Sequence, residues 1–336
     1  MAGARRKKIT IVDVAAKAGV SKTTISRYLN GKFEYMSEES RQRIADVIDE
    51  LGYRPSSLAR SLKSKHSFML GVIVSDITSP FSSILLKGIS DCCQLYGYRI
   101  LIANSDDEPR KEREYIMSMI DQSVDGIILN TTGSNDEFLQ EMAENGTHFV
   151  LADRTINLNL FDTVRSAERQ AIDDMMRELK RANYEQVGFF TQPLVNSVRI
   201  NRVRLFRELY GNYFSGNPQV YFLESAERDA RVMQEYMRQN IGTRHAIFTG
   251  NGVVTMRVVQ AMHNLGIKFP QETGLCGFDD WDWMNLVGGG ITTIAQPTYE
   301  VGKECVKRML YNLKHSTPHK AENIELACTL KLRGSI

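Results

Sequence analysis

Polar side chains recur at helical spacing in one stretch near the start of the chain, and their types suit contacts with nucleic acid. The polar set is Lys22, Thr23, Ser26, Arg27 and Asn30, and the residues between them include apolar side chains that can pack against a neighbouring helix. Basic and hydroxyl side chains on one face of a short helix can reach base edges and phosphates in the major groove. The stretch therefore predicts a DNA-reading surface on a helix-turn-helix.

The residues around this surface predict two short helices joined by a tight turn. Thr10 and Ser21 are predicted to cap the two helices, because a hydroxyl at this position accepts from a backbone N–H of the first turn. Asp13, three residues after Thr10, can complete a capping box. Gly19 lies where the first helix must end and the chain must turn.

A third predicted helix completes a small head domain, for which we set the bounds 1–55. It begins near Ser37 and ends at Gly52, and its apolar residues recur at helical spacing. Residues 1–66 contain 14 Lys and Arg against 7 Asp and Glu, whereas the remainder contains 28 against 33. We therefore expect a polyanion to be the partner of the head alone, with a merely solvated charged surface as the alternative.

A short segment at 56–67 separates the head from the rest of the chain. Its sequence fits two helical turns without an apolar stripe wide enough to pack stably, so it is predicted to fold only when something binds it. A flexible linker is the alternative interpretation.

From residue 68 onward the pattern changes to short β-branched apolar runs that alternate with amphipathic helices. The runs do not alternate with polar residues, so the strands should be buried on both faces of parallel sheets. The pattern occurs twice, which predicts an α/β body (68–336) of two subdomains with a cleft between them. We expect the first to span 68–164 and 295–321, and the second 165–294 and 322–336.

Polar residues follow the predicted strands and should converge on one rim of the cleft, because open sheets bind ligands at the carboxyl ends of their strands. As a set they favour a polyhydroxylated ligand, although each residue alone could be a helix cap or turn former. The set comprises Ser75, Asp76, Ser79, Phe81, Ser82, Asn104, Ser105, Asp106, Asp153, Arg154, Gln192, Gly250, Asn251, Asp279 and Asp280.

Catalytic and metal-binding patterns are missing from the sequence. It contains no G-x-S-x-G or H-E-x-x-H motif, its six histidines are scattered, and its five cysteines have no spacing suited to a metal. We therefore expect no enzyme, no cofactor and no metal site. Since no apolar run is long enough to cross a bilayer, we expect a cytoplasmic protein with reduced thiols and no membrane partner.

Taken together, the motifs resemble the LacI/GalR family of bacterial transcription regulators over nearly the whole chain. The most specific are residues 11–15, 19–21 and 24–30 in the head, Tyr53-Arg54-Pro55, and Gly277-Phe278-Asp279-Asp280 followed by residues 291–297. The resemblance implies a head that binds operator DNA and a body like a periplasmic binding protein that binds a small-molecule effector.

The resemblance also implies roles for individual residues of the head and the linker. Base edges would be read by Lys22, Thr23 and Arg27, and the DNA backbone would be held by Thr10, Ser21, Thr24, Ser26 and Asn30. The linker would be a hinge helix in which Ala59 and Leu62 contact DNA, with Leu62 entering the minor groove and kinking it.

In the cleft, the resemblance implies that Phe81 packs on the ring of the ligand. It also implies that Arg202, Asn251 and Asp279 bind the hydroxyls or the carboxylate of the ligand. Ser79, Asp153 and Arg154 complete the expected effector site. The chain departs from the family at Gly252, where an aspartate is common, at Leu205, where a glycine is common, and at 165–166, where Asp-Asn is common. These departures put the usual neutral-sugar contacts in doubt.

Motifs at 125–133, 281–283 and 289–297 resemble the ketogluconate and keto-deoxygluconate branch of the family. Arg154 and Arg202, with Arg165 nearby, would match a carboxylate by paired N–H bonds, unless Arg165 merely faces solvent. A sugar acid is therefore the expected effector, and a neutral sugar or a purine is the alternative. A homodimeric repressor is expected, since no heptad extension follows Leu332. Two other classes of function remain to be tested: a solute-binding module with a non-specific DNA tether, and an enzyme that acts on a sugar acid.

Overall fold

The computed structural model describes residues 9–34, 36–53, 66–156, 160–315 and 320–336. The chain divides into two compact units, Met1–Ser67 and Phe68–Ile336. They are the head and the body.

The head contains three helices, α1 (Ile11–Ala18), α2 (Lys22–Leu29) and α3 (Glu38–Leu51). The predicted capping box is present: the Thr10 hydroxyl accepts from Asp13 N, and the Asp13 carboxylate accepts from Thr10 N at 2.8 Å. Ser21 caps α2 by accepting from Thr24 N at 3.1 Å. Gly19 adopts a left-handed conformation (φ 65°) that ends α1, as its position predicted.

A small apolar core holds these helices together. Val14, Ile25 and Ile44, one from each helix, are fully buried, and Ala15, Ala18 and Val47 surround them. This packing leaves the polar side of α2 outside the core.

The body contains twelve strands and eight further helices within the described residues. The strands are β1 (Met69–Val74), β2 (Arg99–Asn104), β3 (Gly126–Leu129), β4 (Phe149–Ala152), β5 (Asp162–Ala167), β6 (Gln186–Thr191), β7 (Gln219–Phe222), β8 (His245–Thr249), β9 (Gly274–Phe278), β10 (Thr292–Ala295), β11 (Asn323–Ala327) and β12 (Thr329–Lys331). The helices are α4 (Pro80–Leu95), α5 (Pro109–Asp121), α6 (Asp136–Glu144), α7 (Glu168–Arg181), α8 (Ser197–Tyr210), α9 (Ala226–Gln239), α10 (Gly252–Leu265) and α11 (Thr298–Lys314), with a short 3₁₀ helix at Asp282–Asn285.

The strands form two six-stranded sheets, which confirms the predicted α/β class. The first sheet has the order β11-β5-β4-β3-β1-β2 and is parallel throughout, and the second has the order β12-β10-β9-β8-β6-β7, with β12 antiparallel to β10. Apolar clusters lie on both faces of each sheet, so the central strands are buried on both sides, as the unbroken apolar runs predicted.

The predicted subdomain boundaries differ from the sheets in two places. Residues 165–167 belong to β5 of the first sheet, because Val164 to Ala167 pair in register with Ile324 to Ala327. The final segment 322–336, expected in the second subdomain, is divided: β11 joins the first sheet and β12 the second. The assignment of all of 322–336 to the second subdomain is therefore wrong.

The chain passes between the two sheets three times, after β5, between β10 and α11, and between β11 and β12. As predicted, α11 returns to the first subdomain, where it packs against α4. The contact is close: a Cβ on Gly88 would lie 2.1 Å from the Tyr299 carbonyl oxygen, so this position admits only glycine. Three neighbouring crossings suit a hinge between two rigid halves.

Candidate functional site

A cavity of about 120 Å³ lies in the body where strands of both sheets end. Nine of its lining residues follow the end of a strand by one or two positions: Ser75, Asp76, Asn130, Asp153, Arg154, Gln192, Asn251, Asp279 and Gln296. The predicted convergence of polar strand ends is therefore present for most of the set. Asn104, Ser105, Asp106, Gly250 and Asp280 do not line the cavity, and Asp280 instead pairs with Lys331 and Arg333.

All seven residues expected to contact an effector line this cavity. They are Ser79, Phe81, Asp153, Arg154, Arg202, Asn251 and Asp279. Phe81 extends from the first turn of α4 and packs against the core of the first sheet, so it offers an apolar wall in a polar cavity. Their roles in binding stay predictions.

Arg202, on α8, is buried and is held by three contacts within the protein. Its Nε donates to Glu168 Oε1 at 2.6 Å, its Nη1 donates to Gly250 O at 2.7 Å, and its guanidinium lies 3.9 Å from the centre of the Phe278 ring. The neighbouring carboxylates of Glu168, Asp279 and Asp153 outweigh desolvation and raise the Arg202 pKa, so its charge is permanent.

Arg154 closes another part of the wall and is also paired. Its Nη1 donates to Asp107 Oδ1 at 2.5 Å and to Thr131 O at 3.1 Å. Asp107 reaches this position from a left-handed backbone conformation (φ 56°) after β2. The pair is partly buried, so it keeps charge inside the cavity without leaving it uncompensated.

Asp279 is fixed by two hydrogen bonds, one from the start of α10 and one from the segment between β10 and α11. Its Oδ2 accepts from Gly252 N at 2.7 Å, and its Oδ1 accepts from Gln296 Nε2 at 2.6 Å. The other amide atom, Gln296 Oε1, is buried without a hydrogen-bond partner among the described residues. A hydroxyl donor in the cavity would satisfy it.

Asp153 carries the most perturbed carboxyl of the cavity. It follows β4 in a left-handed conformation (φ 66°), and no hydrogen bond or ion pair reaches its side chain within the described part of the chain. Desolvation raises the pKa of Asp153 to about 7, helped by Glu168 and Asp279 and opposed by Arg202 and Arg154. Near neutral pH this side chain can therefore donate or accept a hydrogen bond.

The Asn251 side chain forms two hydrogen bonds, one from each of its amide atoms. Its Oδ1 caps α10 by accepting from Val254 N at 2.9 Å, and its Nδ2 donates to Gln192 Oε1 at 3.1 Å. The cap explains why a polar residue follows β8, and the amide pair adds hydrogen-bonding capacity to the cavity wall.

Arg199 lines the cavity and was missed by sequence reasoning. It lies in the first turn of α8, where its backbone N donates to the cap residue Asn196 at 3.0 Å. Sequence reasoning searched strand ends, whereas this arginine reaches the cavity from a helix. The run Arg199 to Arg204, with three arginines on one helix, was the available signal.

The departures from the family pattern have structural reasons. A Cβ on Gly252 would lie 2.6 Å from the Trp281 ring, so the indole occupies the space that a larger side chain would need. Leu205 is buried in the core of the second sheet. Arg165 Nη2 pairs with Glu325 Oε1 at 2.5 Å across β5 and β11, so it neither enters the cavity nor simply faces solvent.

In the head, the side chains predicted to read DNA lie on the polar side of α2. Lys22, Thr23, Arg27 and Asn30 are exposed, and neither Lys22 nor Arg27 forms an ion pair with any described residue. Other members of the set serve the fold: Ser26 O accepts from Asn30 Nδ2 at 2.7 Å, while Thr10 and Ser21 cap helices. Ala59 and Leu62 of the predicted hinge helix lie outside the described residues.

The described residues contain no group of three or more His, Cys, Asp or Glu side chains placed to hold a metal. The five cysteines are free thiols, and burial raises the pKa of the Cys93 thiol to about 12, so it stays protonated. Among the helices of the described ranges, none is both long and apolar enough to cross a membrane.

Comparison with known proteins identifies both units. Residues 10–56 match the model of bacterial regulatory proteins of the lacI family, and residues 67–331 match that of the periplasmic binding proteins and sugar binding domain of the LacI family. The chain is 35% identical to HTH-type transcriptional regulator KdgR of Bacillus subtilis, covering 97% of both chains, and 32% identical to HTH-type transcriptional regulator PtxS of Pseudomonas plecoglossicida, covering 98% of this chain and 96% of the relative.

Among solved structures, the lac repressor dimer bound to operator and the anti-inducer ONPF superposes with a TM-score of 0.85. The match covers 98% of this chain and 99% of that one at 20% identity. At this identity the likeness concerns the fold.

Proposed function

The chain belongs to the LacI family of bacterial regulatory proteins, and we propose that it represses genes for the use of a sugar acid and leaves its operator when that acid fills the cavity. Membership of the family makes it a DNA-binding transcription regulator and not an enzyme. The proposal concerns which ligand it answers to and which way it responds.

The head supplies the DNA contacts through α2. Lys22, Thr23 and Arg27 read base edges, and the Arg27 guanidinium suits the O6 and N7 acceptors of a guanine. The DNA backbone is held by Thr10, Ser21, Thr24, Ser26 and Asn30. The absence of an ion pair to Lys22 or Arg27 within the described residues supports this role, because their charges remain available to DNA.

A homodimer binds one operator, with two heads on half-sites about one helical turn apart. A single head offers few base contacts through the short helix α2, so one copy would bind with little selectivity. The hinge helices, through Ala59 and Leu62, enter the minor groove between the half-sites and add affinity by bending the DNA. The lac repressor structure is likewise of a dimer bound to operator.

The observation that carries the proposed effector is the mixture of charges that lines one small cavity. Arg154, Arg199 and Arg202 line it together with the carboxyls of Asp153 and Asp279. A neutral sugar would use the acidic and polar groups and would bring no anion to the arginines. A ligand with a carboxylate and several hydroxyls along its chain can use both kinds of group.

The effector acts on DNA affinity only through its unequal affinity for two states of the body. Residues from both subdomains line the cavity, so a ligand that contacts both stabilises the closed arrangement. We infer that closure changes the dimer geometry that orders the hinge helices, and operator affinity falls. A regulator of this kind works in the cytoplasm, where its DNA lies.

Two measurements on the full chain test the proposal. Thermal denaturation against D-gluconate, 2-keto-D-gluconate, 2-keto-3-deoxy-D-gluconate, D-glucose, D-ribose and hypoxanthine should show stabilisation by a sugar acid, because a ligand that binds only the folded body raises its melting temperature. Stabilisation by the neutral sugars or the purine alone would contradict the proposed effector.

Competition by random DNA tests whether the chain binds its operator specifically. With an operator selected from a random-sequence pool, the chain should prefer that operator by about a thousandfold or more. Equal binding to both DNAs would indicate a non-specific tether and contradict the repressor.

A further inference from the structure

The three arginines of the cavity differ in how their charges are balanced. Arg202 is paired with Glu168 at 2.6 Å and Arg154 with Asp107 at 2.5 Å, so each guanidinium has a carboxylate in direct contact. Arg199 has none: no described carboxylate lies within ion-pairing distance, and its one hydrogen bond from the side chain goes from Nη1 to Pro193 O at 3.1 Å. A single guanidinium in the cavity therefore lacks an anion.

The surroundings of Arg199 make the lack of a paired carboxylate unfavourable. Desolvation lowers the Arg199 pKa, and the neighbouring charges of Arg154 and Arg202 lower it further, while Asp107 only partly offsets them. An arginine cannot lose its proton at neutral pH, so the site stays cationic and incompletely neutralised. A ligand carboxylate placed here would relieve this repulsion.

We propose that Arg199 is the residue that selects the acid form of the effector by binding its carboxylate. This inference rests on the proposed function, and it assigns the carboxylate to an arginine outside the set expected from the sequence. Arg202 and Arg154 then hold the shape of the wall, because each guanidinium already has a protein carboxylate in direct contact.

The position of Arg199 is fixed before the ligand arrives. Its backbone is held by the Asn196 cap, and its guanidinium is held by Pro193 O, which leaves the other N–H groups of the planar fork for a carboxylate. A side chain held in place loses little further freedom on binding, so more of the interaction appears as affinity.

The rest of the cavity disfavours the opposite orientation of the ligand. The Asp279 carboxylate would repel a carboxylate, whereas Asp279 and Asp153 can both accept hydrogen bonds from hydroxyls. Gln296 Oε1, buried without a partner among the described residues, needs a donor. The acid group of the effector is thereby directed to Arg199 and its hydroxyls to the acids and amides.

The test compares acids with their uncharged amides on the full chain. Calorimetric titration uses D-gluconate, 2-keto-D-gluconate and 2-keto-3-deoxy-D-gluconate, each beside its amide, which keeps the shape and removes the charge. The wild-type chain should prefer at least one acid over its amide. Arg199→Gln should weaken that acid by about ten- to hundredfold, as expected for charge-assisted hydrogen bonds, and should leave the amide nearly unchanged.

Two further variants separate the ionic role from a structural one. Arg204→Gln removes an exposed charge from the same helix and should leave both affinities as in the wild type. Arg199→Lys keeps the charge without the fork, so it should restore part of the preference for the acid, and it provides a second variant if Arg199→Gln folds poorly.

The outcomes are distinguishable. An acid preference that persists in both Arg199 variants, or an equal loss for acid and amide, would overturn the role of Arg199 and leave the proposed effector class standing. A wild-type chain that binds none of the acids but binds a neutral sugar would overturn the proposed function and this inference together.

Discussion

Arg202 Nε donates to Glu168 Oε1 at 2.6 Å, and both side chains are less than a tenth exposed. Glu168 begins α7 at the point where the chain leaves the first sheet, and Arg202 lies on α8 in the cavity wall. The pair therefore ties a crossing of the two subdomains to the ligand site.

Removing one member of this pair should destabilise the body strongly. Glu168→Ala leaves the Arg202 charge without its contacting carboxylate, and such a loss costs about 3 kcal/mol or more. Urea unfolding would measure it, with Glu208→Ala as the control, because Glu208 pairs with Arg169 and Arg204 at the surface, where pairs contribute about 1 kcal/mol or less. Similar losses for the two variants would show that the buried pair contributes no more to the free energy of unfolding than a surface pair does.

Asp153 should make the ligand-free chain less stable as the pH rises. Its folded-state pKa of about 7 lies above the usual 3.8, so the native state holds this proton more tightly than the unfolded state, and stability falls between about pH 4 and pH 7. The Asp153→Asn variant has no titratable group at this position, so its stability lacks this dependence on pH. Its melting temperature, relative to the wild type, should therefore increase from pH 5 to pH 8, and a constant difference over this range would contradict the perturbed pKa.

Gly252→Ala should destabilise the second subdomain by about 1–3 kcal/mol, because the added Cβ meets the Trp281 ring at 2.6 Å and the ring must move. Denaturant unfolding would measure the change. Gly211→Ala is the matched control, since nothing lies within 4 Å of its Cβ position. Gly252→Ala should cost less stability when it is added to Trp281→Leu than when it is added to the wild type, because the ring is then absent. An equal cost in both backgrounds would mean that the indole is not the obstacle.

Arg27→Ala should weaken operator binding by about 1–3 kcal/mol and relax the preference for guanine at one position of each half-site. Quantitative binding to operator variants would show both effects. Lys17→Ala removes a charge that already pairs with Glu50 on α3 and should change affinity less. A uniform loss over all sequences would assign Arg27 to a phosphate instead of a base.

Much of the fold could be predicted from the sequence because it depends on local patterns. Unbroken apolar runs such as 126–129 and 149–152 indicated buried parallel strands, and polar residues after them marked the cavity. The strand Asp162–Ala167 could not be predicted in this way, since four of its six residues are polar and it has no apolar run.

The remaining features depend on contacts between distant parts of the chain. The pair of Arg165 and Glu325 spans 160 positions and follows from the register of β5 and β11. The division of 324–332 between two sheets is equally a consequence of topology. Likewise, the sequence shows four arginines along α8, but only the placed side chains show that Arg202 has a carboxylate partner and that Arg199 has none among the described residues.

The central claim is that a sugar acid releases the chain from its operator. The most direct test measures the affinity of the full chain for its selected operator with and without a saturating concentration of the acid that stabilises it most in the thermal assay. The acid should weaken operator binding by about tenfold or more, and D-glucose at the same concentration should not. Operator affinity that is unchanged or strengthened by the bound acid would contradict this claim.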